Sequence, residues 1–342
     1  MSKNNTWRWS YLVAPSLFLA ASLLALSSGS FALSFSEILQ LLFLRRGSEQ
    51  AQLILLTFRV PRMLLAALVG GALGVAGHIL QTITRNPIAD AGLLGVSAGA
   101  SFGSVFFYFL AGTYFSEATQ LQSISLVTFG FIGAVLALFL NFFLSYYRSG
   151  INMQRFLLNG IGISSGFAAL TTFFSLKINA DDYAQVNNWL EGSVRQGNWT
   201  LVQQVAPWVL IALAGTFLLA PKLELLRFSD VQLQTIGFSL NRWRALFIFF
   251  AAVLVCSSVL VAGNVSFVGL LVPHFTKRIV SQKSRLFIPC VFANGMSMVI
   301  LCDVFAKTAF APNELPLNAV MGLLGVPYLA FLFLQNAKQE RN

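Results

Sequence analysis

Apolar runs recur along the whole chain, each bounded by charge, proline or a polar cluster. Most are about 17–25 residues long, the length of a helix that crosses a bilayer. The runs cover residues 11–33, 62–82, 88–110, 124–146, 156–176, 201–220, 245–262, 265–275, 286–305 and 315–335, the eighth being short. They are continuous rather than alternating, which speaks against a β-barrel. The first follows a basic head with Lys3 and Arg8. It is too long for a signal-peptide core and more spans follow, so it reads as a retained helix. Residues 221–244 are charged and only partly apolar, and read as a segment lying outside the membrane. Gly70, Gly71, Gly74 and Gly77 crowd the second run. Small residues at such spacing let membrane helices pack closely. The pattern predicts an all-α polytopic membrane protein of about ten helices, a single transmembrane domain over 1–342.

Composition agrees. Of 342 residues, 56% are hydrophobic and 10% charged, against about 25% charged in a soluble domain. Disorder needs the opposite balance. Three cysteines, an odd number, exclude a disulfide scaffold.

The net charge of +10 becomes informative once it is sorted by side. With ten spans both termini share one side. That side receives fifteen of the 22 cations, among them Lys3, Arg85, Arg148, Arg227, Arg242, Arg244, Lys277, Lys283 and Arg341. The other receives Arg45, Arg46, Arg59, Arg62, Lys177, Arg195 and Lys307, with most of the carboxylates, including Glu117, Asp181, Asp182 and Glu314. The positive-inside rule then makes both termini cytoplasmic. In this topology the excess charge is an orientation signal, not a nucleic-acid surface.

Several chemistries are absent. No lysine follows a glycine, so no P-loop exists and this chain does not hydrolyse ATP that way. His78 and His274 are far apart, and Cys256, Cys290 and Cys302 sit in or beside apolar runs. Packing roles are expected for all five, and no metal site. Carboxylates inside the runs are scarce, with Asp90 and Asp303 near the ends. Ion-coupled carriers place such groups at mid-membrane, and a membrane enzyme would cluster polar groups at one depth. Neither pattern is present, so the driving energy is expected from outside the chain.

Three motifs give that expectation a form. The first is Arg59-Val60-Pro61-Arg62, a Gly/Ala-rich run, then Arg85-Asn86-Pro87-Ile88-Ala89-Asp90 and Leu94-Gly95-Val96-Ser97-Ala98-Gly99. The second is Gly263-Asn264-Val265-Ser266-Phe267-Val268-Gly269-Leu270-Leu271-Val272-Pro273-His274, with Arg278 beyond it. The third is Asn313-Glu314-Leu315-Pro316, followed by Gly325-Val326-Pro327. Trp189-Leu190-Glu191-Gly192-Ser193 is a weaker match. In this order and spacing they resemble the permease subunits of ABC importers for iron-siderophores, haem and cobalamin, over roughly residues 58–334.

The resemblance implies the type II importer permease fold, with both ends cytoplasmic, in a bacterial inner membrane. It implies a pathway between two permease subunits, alike or merely related. Two cytoplasmic ATPases carrying ATP and Mg would drive it, and a periplasmic or lipid-anchored protein would deliver the cargo. The chain itself would bind no cofactor. A ferric siderophore is the leading cargo, haem or cobalamin the alternatives. An ion-coupled carrier is the reading from another class.

Family roles carry over by position. Arg59, Arg62 and Lys307 would meet acidic lobes of the binding protein at the outer face, Lys307 standing where Arg is usual. Anchoring by snorkelling is the plainer role for Arg59 and Arg62. The ATPase-coupling segment would present Leu226, Phe228, Asp230, Leu233 and Gly237. There Ser229, Asp230 and Leu233 replace the usual Gly, Glu and Ala. Asn86, Pro87 and Ile88 would belong to the cytoplasmic gate. Gly269, Pro273, His274, Arg278, Glu314 and Pro316 are motif residues with expected structural roles. Asn318 replaces a usual Gly.

Overall fold

A computed structural model describes residues 6–29, 31, 33–44, 47–114, 122–147, 150–179, 183, 187, 190–280 and 284–339. Of the residues singled out above, Lys3, Arg45, Arg46, Glu117, Arg148, Asp181, Asp182, Trp189, Lys283 and Arg341 lie outside these. The protein is helical, with one two-stranded turn pairing Tyr146–Tyr147 with Gly150–Ile151. The helices are α1 Thr6–Ser27, α2 Phe35–Leu39, α3 Glu49–Thr84, α4 Val96–Tyr114, α5 Gln122–Ser145, α6 Met153–Ser175 and α7 Trp199–Leu218. Two short helices follow, α8 Ala220–Leu225 and α9 Asp230–Thr235. The last four are α10 Leu240–Ala262, α11 Val268–Ile279, α12 Ser284–Thr308 and α13 Leu317–Gln339.

Among the described residues six helices are long and apolar enough to cross a membrane, and apolar stretches of α1, α4 and α13 are shorter. Helix α11 has 12 residues. At about 1.5 Å per residue it rises about 18 Å, well short of a bilayer core. It is the short eighth run of the sequence, a half-helix packed inside the protein rather than a span.

Helix α3 is the axis of the fold. Helices α10, α11 and α12 pack on it. Its most apolar window is 83% buried, against 17% for α6. The glycines explain the depth. A Cβ on Gly70 would strike the Gly295 carbonyl of α12, and one on Gly77 the Gly269 carbonyl of α11. Only bare backbone lets three helices approach this closely. By contrast, α6 keeps Leu158, Ile161, Leu170 and Phe173 exposed, as lipid- or partner-facing surface requires.

The second helix does not begin near Arg62 as its hydropathy predicted. It is continuous from Glu49, and Leu53–Arg59 is wound as a π-helix. Pro61 supplies the reason, since it has no N–H and its ring would meet the carbonyl four residues earlier in α register. The wider turn moves that carbonyl. Val60 N–H then reaches back to the Leu55 carbonyl. The Leu56 carbonyl, left over, accepts from the Trp199 indole at 2.8 Å. Arg59 and Arg62 are therefore inside a helix and not at its end. Helix α2 was not foreseen either. It is a five-residue helix with a capping box between Ser34 and Glu37, too short to leave a periodic signature.

Candidate functional site

Some of the cations and carboxylates assigned to opposite sides meet at opposite ends of α3. Arg62 and Arg85 are separated by about 35 Å of helix.

At the Arg62 end, the guanidinium spans two carboxylates. Its Nε and Nη2 donate to Asp303 at 2.8–3.2 Å, and Nη1 and Nη2 donate to Glu314 at 3.2 and 3.0 Å. Side-chain exposure is 16% for Arg62 and 7% for Asp303. Three elements are thus pinned together: α3, α12 and the loop before α13. Burial alone would raise the Glu314 carboxyl, but hydrogen bonds and charge from Arg62, with Arg195 and Lys307, hold it below the usual range. Arg195 stands off at 3.9 Å from Glu314 and its side chain is 69% exposed.

The other two predicted docking cations serve α1. The last carbonyls of a helix have no partner within it. Here Lys307 Nζ donates to Ala25 O at 3.0 Å, and Arg59 Nη1 donates to Leu26 O at 2.6 Å and Ser27 O at 3.4 Å. Ser28 N–H and Oγ take Leu24 O, at 3.0 and 2.6 Å. Cations are also favoured at a helix C-terminus by its dipole. So Arg59, Arg62 and Lys307 are all engaged within the chain. Among the described residues, Arg195 is the cation that this cluster leaves exposed.

At the Arg85 end the stoichiometry reverses, with one carboxylate between two cations. Asp230 Oδ1 accepts from Arg85 Nη2 at 2.6 Å and from Arg244 Nη2 at 2.8 Å. Arg85 Nε also donates to Leu226 O at 3.2 Å. Arg85 ends α3 with φ 53, in the left-handed region that stops a helix. Its side chain is thereby turned toward α9 and α10. Burial opposes ionisation of Asp230, but the Arg85 hydrogen bond and the Arg244 charge keep its carboxyl below the usual range.

The residues expected at the gate follow directly. Asn86 Oδ1 accepts from Ile88 N–H at 3.0 Å, an Asx turn over Pro87, and Ile88 is exposed. Helix α9 begins with a capping box, in which Ser229 Oγ accepts from Gln232 N–H and Gln232 Oε1 accepts from Ser229 N–H. Ser229 in place of the usual glycine is therefore a cap.

The predicted coupling residues divide. Leu226 and Leu233 are each 1% exposed. They pack the segment onto the core. Phe228 is exposed, with Val231 and Ile236 beside it. Val231 was overlooked because helical spacing over six residues cannot say which face is covered. Gly237 has φ 69 and turns the chain from α9 toward α10.

The remaining motif residues pack. Gly269 lies against the Leu73 carbonyl and Gly77, and Pro273 is buried in α11. The His274 ring meets Tyr328 edge-on at 5.6 Å, and Arg278 lies over Tyr328 and Phe331 of α13. The Pro316 carbonyl accepts from Ala319 and Val320 N–H at the start of α13. Asn318 Oδ1 accepts from Ser266 N–H at 3.1 Å, so this departure adds a link between α13 and the approach to α11. Gly192 has φ 76, and a Cβ there would press on the Asn264 carbonyl. His78 is buried against Phe287, and the three cysteines are free and buried. Among the described residues no group of His, Cys, Asp and Glu could hold a metal.

The fold as a whole is shared with a solved structure described as an inward-facing conformation of a metal-chelate type ABC transporter. The TM-score is 0.82 at 24% identity, covering 96% of this chain and 99% of that one. This is the architecture of a polytopic helical membrane protein. The chain belongs to the FecCD transport family, which matches residues 17–335. It is 34% identical over 330 residues to the iron-uptake system permease protein FeuC of Bacillus subtilis, covering 96% of this chain and 98% of that protein. To the iron(3+)-hydroxamate import system permease protein FhuG of the same organism it is 32% identical, covering 93% and 94%. The achromobactin transport system permease protein CbrC of Dickeya dadantii is also 32% identical, covering 93% and 89%.

Proposed function

We propose that this chain is a transmembrane subunit of an ATP-driven importer that carries an iron chelate, with a ferric siderophore as the leading cargo, across a bacterial cytoplasmic membrane. The observation that carries this reading is the near full-length similarity to permeases named for iron uptake and iron-hydroxamate import. Geometry supports an external engine. Asp303, a carboxylate within a span, has both oxygens held by Arg62, which leaves it unsuited to bind and release a coupling ion. The pathway runs between two permease subunits, and exposed α6 is a surface available for such pairing.

Two ATPases would dock on the exposed Phe228, Val231 and Ile236. The Arg85–Asp230–Arg244 joint would pass their motion to the Asn86–Ile88 gate. At the opposite end a binding protein would approach a rim braced by Arg59, Arg62 and Lys307, with Arg195 presenting charge to it. The test is uptake of radiolabelled ferric siderophore into proteoliposomes holding the permease pair, its ATPases and its binding protein. Uptake should require ATP and the binding protein together. Gradient-driven uptake by the permease alone would overturn the proposal in favour of an ion-coupled carrier.

A further inference from the structure

A cavity of about 240 Å³ opens at the Arg85 end, lined by Gln81, Thr82, Arg85, Pro87, Arg227 and Lys277. Three of its six lining residues are cations and none is a carboxylate. The lining is also held in place. Gln81 Nε2 donates to the Gly269 and Leu270 carbonyls at 3.2 and 3.4 Å, which orients its Oε1 toward the Lys277 ammonium at 3.0 Å. The partner of this partly buried ammonium is thus a neutral amide. Lysine carries three donors and arginine five. Arg85 commits Nη2 to Asp230 and Nε to Leu226, and Asp230 itself is not part of the lining.

A cation held in a partly buried site is costly unless an anion faces it. Asp230, the carboxylate joined to Arg85, also serves Arg244. We propose that the cavity is a binding site for a phosphate group, taken from an anionic phospholipid headgroup or from free phosphate. The volume suits a group of that size and not a whole metal chelate. Tetrahedral phosphate oxygens accept from several cations at once, and basic pockets between membrane helices take up headgroups in this way. The occupant would join three elements: Arg85 and Pro87 of the gate turn, Arg227 ahead of α9, and Lys277 of α11. The site rests on this geometry alone and is independent of the cargo.

The experiment uses the purified full-length chain. One arm titrates inorganic phosphate against thermal unfolding in phosphatidylcholine nanodiscs, with chloride at matched ionic strength as control. The other counts phosphatidylglycerol retained by native mass spectrometry. Saturable stabilisation by phosphate, or one retained phosphatidylglycerol per chain, is expected, and the responding arm identifies the source. Lys277→Gln should weaken the apparent affinity about tenfold or remove the lipid. Arg227→Gln provides the same readout if the first variant folds poorly. No saturable response in either arm overturns the proposal, as does an equal response in wild type and both variants. Loss of bound phosphate or lipid when the partner ATPase is added also overturns it, because the cavity is then a socket for that protein.

Discussion

The two ends of α3 use the same chemistry in opposite proportion. At one end a single arginine is shared by two carboxylates, and the cluster closes among α3, α12 and the loop before α13. At the other a single carboxylate is shared by two arginines, beside a cavity with further cations. The first arrangement is buried and satisfied, so it acts as a rivet. The second is half exposed at Asp230, with 42% of that side chain accessible, and under the proposed function it would serve as a joint loaded from outside.

The sharpest way to break this contrast is Arg62→Ala. It leaves Asp303 and Glu314 facing each other without the guanidinium that spans them, and should cost about 3–5 kcal/mol. Thermal unfolding in nanodiscs should show it, with Arg62→Lys recovering only part because the fork is lost. An unchanged transition would mean that the rivet holds nothing. Leu233→Ala should cost about 2–4 kcal/mol as a core truncation, while Val231→Ala leaves stability unchanged and weakens ATPase assembly. Equal effects would show that α9 is rotated from the described orientation.

Asp230→Asn should be smaller in stability, about 1 kcal/mol after allowing for solvent, yet it tests the joint. ATP hydrolysis should persist while uptake falls about tenfold, in keeping with the loss of one charged contact. A proportional loss of both would make the ion pair a structural tie only.

The smallest effect is the pH response. Both Asp230 and Glu314 have carboxyls held below their ordinary values, 3.8 and 4.5, after opposing burial is overcome by arginine contacts. A lowered carboxyl contributes stability that is complete above the ordinary value and lost as pH falls through the lowered one. Unfolding transitions should therefore be level from pH 8 to about 6 and decline only below the ordinary carboxylate range. A decline already at pH 6 would place the titrating group elsewhere.

Much of this architecture was legible along the chain. Apolar length alone located the spans, because a bilayer demands about 20 apolar residues per helix. Sorting charge by side separated the two groups that the structure places at the two ends of α3. Where reading failed, the signal was of another kind. The start of α3 was missed because Arg59 and Arg62 interrupt the apolar run, and hydropathy cannot register that each cation has an internal partner.

What the sequence by itself determined is the class, a polytopic helical membrane permease, and the side on which most charges fall. Both follow from local chemistry, read within a window of one span. The tertiary structure decided which charges are spent. Arg62 finds its carboxylates 241 and 252 residues away, and Lys307 finds a helix end 282 residues back. It also decided which residues of the 221–244 segment are free, burying Leu226 and Leu233 and leaving Val231 outside. Partners that distant leave no periodic trace in sequence, and only the close packing of helices around the glycines of α3 brings them together.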